Sequence, residues 1–288
     1  MKLSMRGSGV IPCFAAGLAI LWSAACCAQA PAASAPGSAA RSGEWVTVPS
    51  RDGVTQGLYV ETSTATPAWV VVLFAGDDGA LHLGTNGPTT LEGNFLVRTA
   101  PYWVRKGDAA VLIDTPSDHA DGVDDAFRLG EGAMRDIEAA VRALHERFPT
   151  SRIALIGTSR GTVSVGNVLA RNPGLADAFV LTSPVSIARS GQAGLSGLNV
   201  DGTRARALVV SNRRDACPPA LFSGAAGLAG RNHFDLIAVE SAAGGGRNCS
   251  GRSPHGFWGI EDEVLGDIDR WLTEDAPRRT QETSGNRF

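Results

Sequence analysis

Six short runs of consecutive apolar residues constrain this chain more than any other feature: residues 69–74, 109–113, 153–156, 178–181, 207–210 and 236–239. A strand with one wet face alternates apolar and polar residues. These runs do not alternate, so they suit strands buried on both faces. Between the second and third runs lies segment 131–148, where Met134, Ile137, Val141, Leu144 and Phe148 recur at steps of three and four. Arg135, Asp136, Glu138, Arg142, Glu146 and Arg147 fall mostly on the other face, which predicts an amphipathic helix covering the sheet. Segment 260–272 repeats the design with Ile260, Val264, Ile268, Trp271 and Leu272. The expected fold class is therefore α/β, a mostly parallel central sheet with helices on both faces. Residues 45–48 and 54–61, separated by Pro49-Ser50-Arg51-Asp52-Gly53, add an antiparallel edge hairpin. In such sheets, sites gather at the carboxyl ends of the strands.

With 288 residues and 43% hydrophobic content, the chain can build one sizeable core, and it shows no internal repeat. Lys2 and Arg6, an apolar stretch over 10–25 and Ala28-Gln29-Ala30 read as a cleavable export signal over 1–30. That apolar stretch is shorter than the ~20 residues a spanning helix needs, so no stable membrane span is expected. A rival reading attaches lipid at Cys26. Residues 31–43 lack large apolar side chains and read as a flexible linker, 44–274 as the catalytic domain, and 275–288 as a disordered tail. The net charge of -3, with both signs interspersed, gives no reason to expect nucleic acid as a partner. Losing the signal would leave Cys217 and Cys249, an even pair suggesting a disulfide in a periplasmic or secreted protein.

The sharpest motif is Gly157-Thr158-Ser159-Arg160-Gly161, entered from the run 153–156 and followed by the helix-like segment 163–171. A serine on a tight strand-to-helix turn is exposed for attack, and small flanking residues let the turn pack closely. A serine hydroxyl needs a base. His145 lies on the amphipathic helix, His233 precedes a strand, and His82 and His119 come before the serine. His255 follows the last strand run and is the expected base. Asp215, just past the run 207–210, is the expected carboxylate that orients it, ahead of Asp201 and Asp235, which lie upstream of their strands. An oxyanion hole requires two backbone N–H groups. Arg160 is one, and Asp77, in the loop Ala75-Gly76-Asp77-Asp78-Gly79, is assigned the other, with Gly76 as the near rival. The side chains of Asp77 and Asp78 are expected to point away or to cap a following helix.

The serine turn and the Ser159, Asp215, His255 order resemble the α/β-hydrolase superfamily over nearly all of residues 44–273. Ser253-Pro254-His255-Gly256-Phe257 with an upstream cysteine, and Cys217 close behind Asp215, look like exported bacterial α/β hydrolases of unassigned substrate. A Cys217–Cys249 bond would tie the acid loop to the base loop. Ala75-Gly76 departs from the His-Gly of many lipases, and only about 25 residues separate the runs ending at Leu181 and starting at Ala207, too few for a large cap. The site is expected to be open. The resemblance implies a serine hydrolase acting on a small-molecule ester or other acyl substrate, with peptidase, amidase or acyltransferase as alternatives. A noncatalytic binding protein on the same fold is the alternative of another class. Arg160, Arg213 and Arg214 are candidates for recognising an anionic group. With no metal-ligand cluster, phosphate loop or dinucleotide fingerprint, neither metal nor cofactor is expected.

Overall fold

The structure, a computed structural model, describes residues 42–274. The expected signal over 1–30, most of the 31–43 linker, Cys26 and the 275–288 tail lie outside the described residues. Strands β1 (Glu44–Arg51) and β2 (Val54–Glu61) pair antiparallel across a turn in which Gly53 takes φ 67°. β2 lies antiparallel to β4 (Ala109–Pro116), and β4 parallel to β3 (Trp69–Phe74). Parallel strands β5 (Arg152–Thr158), β6 (Ala178–Thr182), β7 (Ala207–Asn212) and β8 (Asp235–Val239) continue beyond β3. The order is β1-β2-β4-β3-β5-β6-β7-β8.

Short helices α1 (Phe95–Thr99) and α2 (Pro101–Arg105) precede β4, and α3 (Asp125–Arg128) and α4 (Glu131–Arg147) precede β5. Helices α5 (Gly161–Arg171), α6 (Phe222–Asn232) and α7 (Glu261–Thr273) complete the two helical layers. Val70, Val72 and Phe74 share one core with Met134, Ile137, Val141 and Leu144 of α4. Trp69, Val71 and Leu73 share the other with Phe95, Trp103, Val264 and Ile268. Successive β3 side chains thus feed opposite layers, which is why that run has no polar position. Each such large side chain taken fully out of water contributes about 1.5–3 kcal/mol.

Three details differ from expectation. Asp136 of α4 is buried, accepting hydrogen bonds from Ser50 Oγ at 2.6 Å and Arg51 Nε at 2.9 Å, so the charged face of that helix is interrupted by an ion pair with the hairpin. β8 is a sheet edge, which leaves Leu236 39% exposed. α6 carries no apolar signature because it is built largely from Gly and Ala, and Gly224 packs where an added Cβ would lie 2.6 Å from Ser186 Oγ. Among the described residues no helix is long and apolar enough to cross a membrane.

Candidate active site

Asp77, Ser159, Asp215 and His255 lie beyond the carboxyl ends of β3, β5, β7 and β8, at one edge of the sheet. Ser159 occupies the turn between β5 and α5 at φ 51°, a left-handed conformation rare for a side chain other than Gly, Asn or Asp. The turn is fixed at both ends: Ser159 N donates to Thr182 O at 3.0 Å, and Ser159 O accepts from Thr162 N at 3.0 Å. The motif's glycines are sterically required. A Cβ on Gly157 would lie 2.6 Å from Gly161 O, and one on Gly161 only 2.2 Å from Phe74 O. Gly76 is equally confined, because its Cβ would stand 2.9 Å from that of Ser159.

His255 is buried in a short helical turn after β8, and its Nδ1 lies 2.8 Å from Asp215 Oδ2. An ionised carboxylate only accepts, so Nδ1 carries the proton and Nε2 keeps a lone pair. Nε2 has no hydrogen-bond partner among the described residues. The second carboxylate oxygen of Asp215 accepts from Cys217 N at 2.8 Å. Ser183 Oγ donates to His255 O at 2.7 Å, and Asn212 Nδ2 donates to Ser241 O and Pro254 O, bracing the loop that carries the histidine. Cys217 and Cys249 stand at disulfide-bonding distance, with Sγ atoms 2.03 Å and α-carbons 4.7 Å apart.

Ser159, His255, Arg160, Gly76 and Asp77 line one cavity of about 720 Å³, within the range of small-molecule sites. Neither Arg160 N–H nor Asp77 N–H meets an acceptor among the described residues. Asp77 takes φ 56°. Both loop aspartates are exposed, and no helix follows them directly; Asp78 Oδ1 instead accepts from Ala80 N at 3.1 Å, closing a turn. A serine hydroxyl on a tight turn, an imidazole whose Nε2 has no hydrogen-bond partner and two backbone amides without an acceptor among the described residues thus line one cavity.

The remaining candidates are engaged elsewhere. His82, His145 and His233 are exposed, and the His119 ring packs on Phe127 at 4.1 Å. Asp201 caps a short turn through Thr203, and Asp235 accepts from Trp271 Nε1 at 2.8 Å. Arg160 is paired with Asp125, Arg213 stacks 4.7 Å from the Phe222 ring centre, and Arg214 lies 3.7 Å from Glu240. The cavity-lining arginines besides Arg160 are Arg247 and Arg252, on the loop before His255. Ser183, Asn212 and the Cys217 amide carry no sequence signal, since Ser183 and Asn212 donate from their side chains to backbone carbonyls and Cys217 donates from its own backbone, pairings that only the folded chain brings together.

No protein-family model matches the sequence, and no curated protein matches it significantly. Solved structures do. An α/β serine hydrolase homologue from Coxiella burnetii aligns over 82% of this chain and 99% of its own, at TM-score 0.56 and 15% identity. An α/β serine hydrolase without a lid from Xanthomonas campestris aligns over 81% and 97%, at TM-score 0.52 and 15% identity. A Pyrococcus furiosus esterase aligns over 81% and 92%, at TM-score 0.56 and 13% identity. The chain has the α/β-hydrolase fold. Among the described residues it carries no large cap domain, the β6–β7 connection being a loop with a single short helical turn.

Proposed function

We propose that this protein is a serine hydrolase that cleaves carboxylic esters of small molecules through an acyl-enzyme. Ser159 is the nucleophile, His255 takes its proton at Nε2 and later returns it to the leaving alcohol, and Asp215 fixes the tautomer and stabilises the imidazolium. Arg160 N–H and Asp77 N–H receive the oxyanion of the tetrahedral intermediate. Water then attacks the acyl-enzyme with His255 again as base, releasing the acid. The observation that carries this reading is the strained Ser159 turn sharing a cavity with a histidine whose Nδ1 is held by a buried carboxylate and whose Nε2 has no partner. The esterase and serine hydrolase neighbours support it at the level of fold. The esterase among them is the reason esters are preferred here to the amide, peptide or acyl-transfer alternatives. The cysteine pair at bonding distance supports the further proposal of an exported, periplasmic or secreted protein with an intact disulfide.

The test is labelling with a fluorophosphonate, followed by mass spectrometry of the modified peptide. Wild type is expected to be modified at Ser159 and Ser159→Ala not at all. Folded wild type that stays unlabelled would favour the binding-protein alternative.

A further inference from the structure

Two oppositely charged and almost wholly buried side chains project from the four residues of α3. Asp125 is 2% exposed and Arg128 3%. Each reaches one of the residues assigned an oxyanion-binding amide. Asp125 Oδ1 accepts from Arg160 Nε at 3.0 Å, with Arg160 Nη2 2.9 Å away, and Oδ2 accepts from Gly194 N at 2.9 Å. Arg128 Nη2 donates to Asp77 O at 3.3 Å, while Nη1 donates to Ser164 Oγ at 3.0 Å on α5, the helix that follows the nucleophile. One turn of helix thus grips both sides of the proposed oxyanion hole.

This arrangement is an expensive way to pack a loop. A buried ion costs several kcal/mol in lost hydration unless well paired. Arg128 has no carboxylate within ion-pair distance among the described residues, and its Nε has no hydrogen-bond partner. Burial, and then the neighbouring Arg160 charge, push its guanidinium down to about 10. The surroundings are nonetheless shaped to admit it: Gly79 takes φ 83°, and a Cβ there would stand 2.6 Å from Arg128 Nη2. Asp77 also needs an external hold, because a left-handed residue persists only where its neighbours over-determine it. Val123 N, donating to Asp78 O at 2.9 Å, secures the next peptide.

We propose that Asp125 and Arg128 are positioning residues for the oxyanion hole, Arg128 holding Asp77 through its carbonyl, one peptide beyond the one that carries the Asp77 N–H, and Asp125 holding Arg160 through its side chain. This rests on the acyl-transfer reading above. Donors in such a hole act because they are aimed before charge develops, and a misplacement of about 1 Å can lower the rate by about 100-fold.

The experiment compares p-nitrophenyl acetate hydrolysis by wild type, Arg128→Met, Asp125→Asn and Ser164→Ala, together with inhibition by a trifluoromethyl ketone whose adduct places an alkoxide in the hole. Arg128→Met and Asp125→Asn are expected to lower kcat by about 10- to 100-fold with KM changed less than about threefold, and to weaken the ketone by a similar factor. Ser164→Ala, which removes one anchor of Arg128, should lower kcat by about 3- to 10-fold. Arg128→Lys, which keeps the charge but not the fork, should recover part of the loss. A merely structural role would lower the melting temperature without this split between kcat and KM. Unchanged kcat, or a rise in KM in its place, overturns the proposal. Should Arg128→Met fail to fold, unchanged kcat in both Asp125→Asn and Ser164→Ala overturns it equally. Wild type inert to both ester and fluorophosphonate would instead sink the hydrolase reading itself, an outcome distinct from an active wild type with indifferent variants.

Discussion

Reducing the disulfide proposed between Cys217 and Cys249 should both destabilise the protein and slow it. The two cysteines are separated by 32 positions, and closing a loop of that length removes chain entropy from the unfolded state worth about 3.7 kcal/mol at 25 °C. For a domain of this size about 1 kcal/mol moves the melting temperature by 2–4 °C, so reduction is expected to lower it by about 7–15 °C. The effect on rate has a separate origin. Among the described residues, Cys217 N–H is one of two groups that hold the Asp215 carboxylate, and Cys249 lies on the loop that precedes His255. Freeing both loops should lower kcat well below the melting range, where the fold survives. The assay is thermal unfolding and ester turnover with and without a phosphine reductant, using the Cys217→Ser/Cys249→Ser double variant as a control that reductant should not affect. Alkylation of both cysteines in native, unreduced protein would refute the bond. Equal melting temperatures before and after complete reduction would refute the entropic reasoning even with the bond present.

Asp215→Asn should leave the fold intact but lower kcat by about 10⁴-fold, since an amide permits the wrong imidazole tautomer; steady-state kinetics and a melting curve check both halves. Gly161→Ala would drive a methyl to 2.2 Å from Phe74 O and 2.6 Å from Ala75 O, both backbone, and is expected to destabilise by at least about 2 kcal/mol in urea unfolding. Asp108, buried beside Trp69 N, has its carboxyl pushed up by desolvation, partly opposed by that hydrogen bond. Between its unfolded and its raised folded value the native state binds more protons than the unfolded one, so stability falls as pH rises through that window. The stability of Asp108→Asn relative to wild type should therefore grow across the same range, and a constant difference from acid to neutral pH would contradict the assignment.

The apolar runs determine the architecture because a strand buried on both faces has no wet side on which polar residues can alternate, so 69–74 and its counterparts are legible without any tertiary information. β8 is the instructive exception: its run looks buried, yet its place at the sheet edge leaves Leu236 exposed. Ser159 and its glycines are legible for a related reason, since Gly157 and Gly161 face backbone within the reach of one Cβ and the sequence must record that. His255 and Asp215 follow from chain order along the strand ends. What only the tertiary structure decides is how those residues are held. Asp136 turns inward to meet Arg51 across 85 positions, Ser183 reaches His255 O across 72, and Arg128 reaches Asp77 across 51. Hydrogen bonds to backbone atoms leave no demand on the identity of the accepting residue. A buried charge in a short helix such as Asp125–Arg128 looks like any solvated polar segment until the chain folds over it.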